Sequence, residues 1–273
     1  MAKKKISGGN NRFVSEIRTI GFMGTPKSGK TKHIKSLMER IGEELGLRGI
    51  NFNNEEWKEK FSKGEKGVRE AFNMGYLVPL IQAMGLKILD YKNFGMEKPD
   101  YIIPERNAYD FEAFTGALVN LNCVGEKELL KYIGTSDLFE SMASKEQEKY
   151  DRLRFRGVIR DLQTIDDLVI YIKVPPTVAM EREEKTVDGP RWGNVMNIPF
   201  LTELNKRYDA LVPFIQQRVP LLVIDGEVPF EENRELIFKE SYRLFVPPAY
   251  SNGNDGEGGP IISSGKAYAP VEA

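Results

Sequence analysis

The run Gly24-Thr25-Pro26-Lys27-Ser28-Gly29-Lys30-Thr31 matches the pattern G-x-x-x-x-G-K-[ST] in full. Residues of these types at this spacing can bind a polyphosphate. Successive backbone N–H groups wrap the anion, and the helix that follows points its positive dipole end at it. Gly24 and Gly29 permit φ values and a close backbone approach that a side chain would obstruct. Lys30, expected at an exposed loop–helix junction, would reach the β- and γ-phosphates, and the Thr31 hydroxyl would ligate Mg²⁺. The flanks suit such a loop. Thr19-Ile20-Gly21-Phe22-Met23 is a short apolar run with β character, and from His33 to Ile41 apolar residues recur at helical spacing.

Two further groups of residues carry chemistry. Asp100-Tyr101-Ile102-Ile103-Pro104-Glu105-Arg106-Asn107 reads as a strand ending in a carboxylate and a guanidinium. Glu105 could hold Mg²⁺ or accept a proton from an attacking hydroxyl, and Arg106 suits bidentate phosphate recognition. The same two residues also read as an ordinary surface pair. The third group, Pro175-Pro176-Thr177-Val178-Ala179-Met180-Glu181-Arg182-Glu183-Glu184-Lys185, follows an apolar strand, and its prolines stop the strand and start a helix. Arg182 and Lys185, three apart, share a helix face and could close over a triphosphate. Paired instead with Glu181, Glu183 and Glu184, they would make a solvated helix surface.

The elements that must position these groups alternate. Apolar β-like runs at 19–23, 49–52, 87–89, 101–103, 168–174 and 221–224 are interleaved with helical patterns at 31–46, 67–85, 108–121, 176–185, 199–219 and 230–245. Alternation of this kind predicts right-handed crossovers and a parallel sheet, with ligands beyond the carboxyl ends of the strands. Residues 17–246 read as one folded domain, with a charged helical insertion at about 122–150. Residues 1–16 read as a flexible basic tail and 247–273 as a disordered Gly/Ser-rich tail that cannot bury enough apolar area to order itself.

Composition narrows the function classes. Lys plus Arg number 39 against 40 Asp plus Glu, so no global charge argues for nucleic acid. The N-terminal charge lacks the apolar core of a secretory signal, and no run approaches the ~20 apolar residues that span a bilayer. Cys123 is the only cysteine, which excludes an intrachain disulfide framework and fits a cytoplasmic, reducing setting. His33 is the only histidine, which excludes His-based triads and multi-histidine zinc sites; it reads as a surface or packing residue.

Taken in order, the phosphate loop, "IIPERNAYD", "DLVIYIKVPPTVAMEREEK", "LNKRYDALV" and "PLLVIDGEVPFEEN" resemble the thymidylate kinase and deoxynucleoside kinase families over residues 17–245. Those families end the third sheet strand in D/E-R-[SY]. They carry lid arginines after the fourth strand, follow them with a Tyr-bearing helix and end the last strand in Asp. The resemblance implies an α/β chain with the three-layer P-loop NTPase fold: a mostly parallel five-stranded sheet, helices on both faces and a lid segment. It implies ATP and Mg²⁺ as cofactors, a small-molecule acceptor and, as in related kinases, a homodimer. It places Lys30 and Thr31 at triphosphate and metal, Glu105 near metal or acceptor, Arg106 at phosphate or substrate, and Arg182 at the first lid cation. The chain departs from the family pattern at Asn107, where Ser or Tyr is usual, and at Lys185, where a second lid Arg is expected. Glu55 or Glu56 could fill the place of a catalytic Glu after the second strand, although Asn53, Asn54 and Trp57 do not reproduce its flanks.

The leading expectation is therefore ATP-dependent phosphoryl transfer to a nucleoside or nucleoside monophosphate. One rival is a P-loop ATPase or nucleotide-binding protein acting through a partner, with Asp90 in place of Glu105 at the metal. Another is a kinase fold that binds nucleotide without catalysis. A GTPase is disfavoured, because Asn205-Lys206-Arg207-Tyr208-Asp209 misplaces the Asp of N-K-x-D by one and lies in a helical pattern.

Overall fold

The computed structural model describes residues 17–52, 86, 87, 89, 91, 97–104, 106–121, 166–185 and 197–246. The expected helix at 67–85, the insertion at 122–150, both tails and Glu55, Glu56, Asp90, Glu105 and Cys123 lie outside them. The strands are β1 (Arg18–Met23), β2 (Gly49–Phe52), β3 (Tyr101–Pro104), β4 (Leu168–Lys173) and β5 (Leu221–Asp225). The helices are α1 (Lys30–Leu45), α2 (Ala108–Asn120), α3 (Pro176–Glu184), α4 (Ile198–Gln216) and α5 (Phe230–Phe245).

The strands form one sheet in the order β2-β3-β1-β4-β5, with each pairing parallel. The central strands are nearly continuous apolar runs because both faces are covered. In β4, Val169 and Tyr171 face one side while Leu168, Ile170 and Ile172 face the other. The first side packs on α2, α3 and α4 through Phe111, Phe114, Ala179, Phe200, Leu204 and Tyr208. The second packs on α1 and α5 through Ile34, Leu37, Ile41, Ile237 and Phe238. This is the three-layer arrangement that the alternation of elements predicts. From β1 the chain crosses past β3 to β2, and later adds β4 and β5 on the other side. The carboxyl end of β1 therefore lies between those of β3 and β4, at the place where such sheets bind ligands.

The expected strand at 87–89 is absent. Leu86 and Lys87 are helical and Leu89 is in neither kind of element. Leu86 and Leu89, three apart, pack against the α2–α4 cluster, while Lys87 sends its ammonium to Asp167 at 3.1 Å. Three residues are too few for a period of two to prevail over that packing. Among the described residues, no helix is long and apolar enough to cross a membrane.

Beneath β1, on the α2 side, there is no room for a side chain. A Cβ on Gly21 would lie 2.6 Å from Asp166 Oδ2 and 2.7 Å from Asn107 Nδ2. Asp166 is 7 % exposed, and burial pushes its carboxyl up from the ordinary 3.8 to about 8; Asp167 adds to the rise, while Lys87 and Asn107 oppose it. Between those two values the unfolded chain has released a proton that the folded chain keeps. Stability supplied by the neutral acid is therefore full at low pH and falls as pH rises toward 8. Asp166→Asn is expected to flatten this fall, so that the stability difference between native and variant changes steadily from about pH 4 to 8 and is constant above 8 in urea titrations taken from pH 3 to 9.

Candidate active site

The loop begins where β1 ends, and its backbone shape follows from contact with β4. A Cβ on Gly24 (φ 144°) would meet the Ile172 carbonyl oxygen at 2.4 Å, so only glycine fits. The chain then turns at Thr25-Pro26-Lys27-Ser28, closed by the Ser28 N–H donating to Thr25 O at 3.2 Å. Gly29 (φ 100°) leads into α1, whose N-terminus has no side-chain cap and no acidic residue in its first turn. The positive end of its dipole is therefore uncompensated at the loop, where it favours an anion. The Thr25 hydroxyl is buried without a hydrogen-bond partner among the described residues.

Lys30 is not exposed, contrary to the expectation for a loop–helix junction. It is 5 % exposed, and its ammonium folds back to donate to Gly24 O at 2.5 Å and Thr25 O at 2.9 Å. The loop turns these carbonyls toward its own interior, and the Lys30 ammonium adds a charged donor to both. Thr31 follows in the first turn of α1, half-buried. A hydroxyl beside phosphate oxygens and water is a donor set that Mg²⁺ accepts, so Thr31 fits the role of metal ligand.

A buried carboxylate holds the loop from below. Asp110, in the first turn of α2, accepts from the Gly24 N–H at 3.2 Å, from Arg106 Nη1 at 2.5 Å and from the Tyr208 hydroxyl of α4. That hydroxyl also lies 3.1 Å from Gly24 O. Asn107 sets the register of α2 by capping it, Oδ1 accepting from the Asp110 N–H at 2.8 Å. Arg106, expected to reach phosphate or substrate, is thus buried in an ion pair one layer below the loop. The roles of Asp110 and Tyr208 escaped the sequence reading, although both fall in runs that carried the resemblance. The signal was Arg106 and Asp110 four apart across a helix start.

Above the loop lies α3. Arg182 donates through Nη1 to Lys27 O at 3.2 Å and through Nη2 to Gly226 O at 2.7 Å, joining the loop to the turn after β5. Lys185 caps α3 beyond its last turn and is exposed. The structure therefore sets Arg182, and not Lys185, against the loop. His33 is buried and stacked on Phe230, with ring centroids 4.6 Å apart. Burial, and then the charges of Lys32 and Arg182, push its pKa down to about 4, so it is neutral at neutral pH. Lys32 lies over the same Phe230 ring at 3.7 Å.

Asp110 is expected to be the most sensitive position under the loop. Asp110→Ala leaves Arg106 buried without its carboxylate and should destabilise the chain by about 3–5 kcal/mol. Tyr208→Phe, which removes one donor, should cost about 1–2 kcal/mol. Urea midpoints measure both, and an Asp110→Ala variant as stable as the native chain would contradict the network.

Against known proteins, no family model and no curated protein matches the sequence. Solved structures do match. One is a deoxyadenosine kinase from M. mycoides with the products dCMP and a flexible dCDP bound. It is 19% identical, with a TM-score of 0.52 over 83% of this chain and 99% of that one. Another is a deoxyadenosine kinase from M. mycoides with bound dCTP, 19% identical, with a TM-score of 0.50 over 82% of this chain and 98% of that one. The chain has the fold of these deoxyadenosine kinases, a three-layer α/β P-loop fold with a parallel five-stranded sheet.

Proposed function

We propose that the chain is an ATP-dependent kinase that transfers a phosphoryl group to a nucleoside or nucleoside monophosphate. The observation that carries this reading is the convergence of Lys30 and Arg182, from two separate strand ends, on one glycine-rich loop at an uncapped helix N-terminus. A loop alone would serve any nucleotide-binding protein. A second cation brought over it from α3 is what transfer of a highly charged group uses, since catalysis there is mostly positioning and charge stabilisation. The solved deoxyadenosine kinases with this fold hold deoxycytidine nucleotides, which makes a deoxynucleoside the first acceptor to test.

In this reading Lys30 leaves the Gly24 and Thr25 carbonyls for the β- and γ-phosphates, and the α1 N-terminus binds the rest of the chain of phosphates. Thr31 and Glu105 would hold Mg²⁺, which supplies charge neutralisation at the phosphate oxygens. The acceptor oxygen attacks the γ-phosphorus, the bond to the β-phosphate oxygen breaks, and ADP leaves. The acceptor proton passes to a carboxylate, with Glu105, Glu55 and Glu56 as candidates. Arg182 exchanges a carbonyl for the transferring group. Lys185 is free to join it only if the end of α3 moves inward.

Incubation with ATP, Mg²⁺ and a panel of deoxynucleosides, nucleosides and monophosphates is expected to release ADP only with certain acceptors. Release independent of any acceptor would replace this reading with an ATPase. Lys30→Met keeps the buried stem and removes the ammonium, and is expected to abolish transfer while the chain stays folded by circular dichroism. Arg182→Ala is expected to lower kcat by about 10³-fold with a smaller change in the KM for ATP; an unchanged kcat would return Arg182 to a purely structural role.

A further inference from the structure

Lys27 is the only non-glycine residue with positive φ among the described residues, at 63°. It stands third in the turn Thr25-Pro26-Lys27-Ser28, closed by the Ser28 N–H on Thr25 O at 3.2 Å. Proline second and positive φ third make this a type II turn, in which the third place ordinarily belongs to glycine or asparagine. A lysine there is strained and persists only where its surroundings hold it. Both ends of Lys27 are held by consecutive residues of α3. Its carbonyl accepts from Arg182, and its ammonium lies 2.8 Å from Glu183 Oε2. Glu183 is 3 % exposed, while Glu181 and Glu184 on the same helix are exposed. A buried carboxylate is expensive unless it is paired, and of these three only Glu183 faces the loop.

We propose that Glu183 is a positioning residue: through its ion pair with Lys27 it fixes the crest of the phosphate loop in the left-handed conformation that aims the following N–H groups at a phosphate. Lys27 thereby serves as the loop's link to α3, so movement of α3 and reshaping of the loop are coupled. The inference rests on the nucleotide-binding part of the reading above, and not on the identity of the acceptor.

Two readouts test it. The first is hydrogen exchange at the amides of residues 27–29 in the nucleotide-free chain, and the second is the Kd for ATP with Mg²⁺ by calorimetry. Glu183→Gln is expected to speed exchange and weaken ATP binding, each about tenfold, the equivalent of one left-handed residue losing its support. Lys27→Met breaks the same pair from the other side and is expected to do the same. Lys27→Gly combined with Glu183→Gln should recover most of both losses, because glycine adopts the turn unaided; a merely structural Glu183 would give no such rescue. Native-like behaviour of both single variants, or a double variant no better than Glu183→Gln, would overturn the proposal. If the native chain binds no ATP, the kinase reading fails, and the exchange comparison alone decides the role of Glu183.

Discussion

A carboxylate shut away from water must find its hydrogen bonds within the protein, and Asp110 finds them on three elements at once. It takes the N–H of Gly24 at the start of the loop, the guanidinium of Arg106 after β3 and the hydroxyl of Tyr208 on α4. None of these donors could be withdrawn without leaving a buried polar group unsatisfied. The loop's departure from β1 is therefore bound to the same network that sets α2 against α4, so helix packing and loop geometry are one problem with one solution. The glycine at position 24 is a condition of that solution, since β4 passes so close that no side chain fits.

Above the loop the constraint is of a different kind. Arg182 spans from Lys27 to Gly226, so the turns after β1 and β5 are tied through a single guanidinium. Such a tie is made of hydrogen bonds to carbonyls, which a phosphate anion could replace at little loss because a charged acceptor binds arginine more strongly. The buried network below fixes the loop's base, while the contacts above can exchange partners. That division suits the proposed kinase, whose site would be shaped before ligand arrives and would then close over it.

The electrostatics follow from this arrangement. Lys27, Lys30, Lys32 and Arg182 gather around a helix N-terminus without an acidic residue in its first turn. His33, in their midst, responds by staying neutral, because burial and two neighbouring cations both oppose a further positive charge. Glu183 offsets part of the charge at the crest, and its burial keeps that compensation from being screened by water.

Much of the fold was legible because it depends on local patterns. The apolar runs of β1, β4 and β5, the glycines of the loop and the prolines that open α3 each act within a few residues, and each determined its element from the chain alone. The run at 87–89 misled because Leu89, with Leu86 just before the run, answers to the helices packed on it rather than to its immediate neighbours. At the site, residue types and spacing indicated Lys30, Arg106 and Arg182, but not what they touch. That Lys30 turns inward, that Arg106 is occupied by Asp110, and that Glu183 rather than Glu181 or Glu184 is buried are matters of which surfaces meet when α2, α3 and α4 close on the sheet. The sequence by itself determined a glycine-rich loop of the phosphate-binding pattern on a parallel α/β sheet; only the tertiary structure decided its anchor and its clasp, because a buried charge chooses its partner by proximity in space and not along the chain.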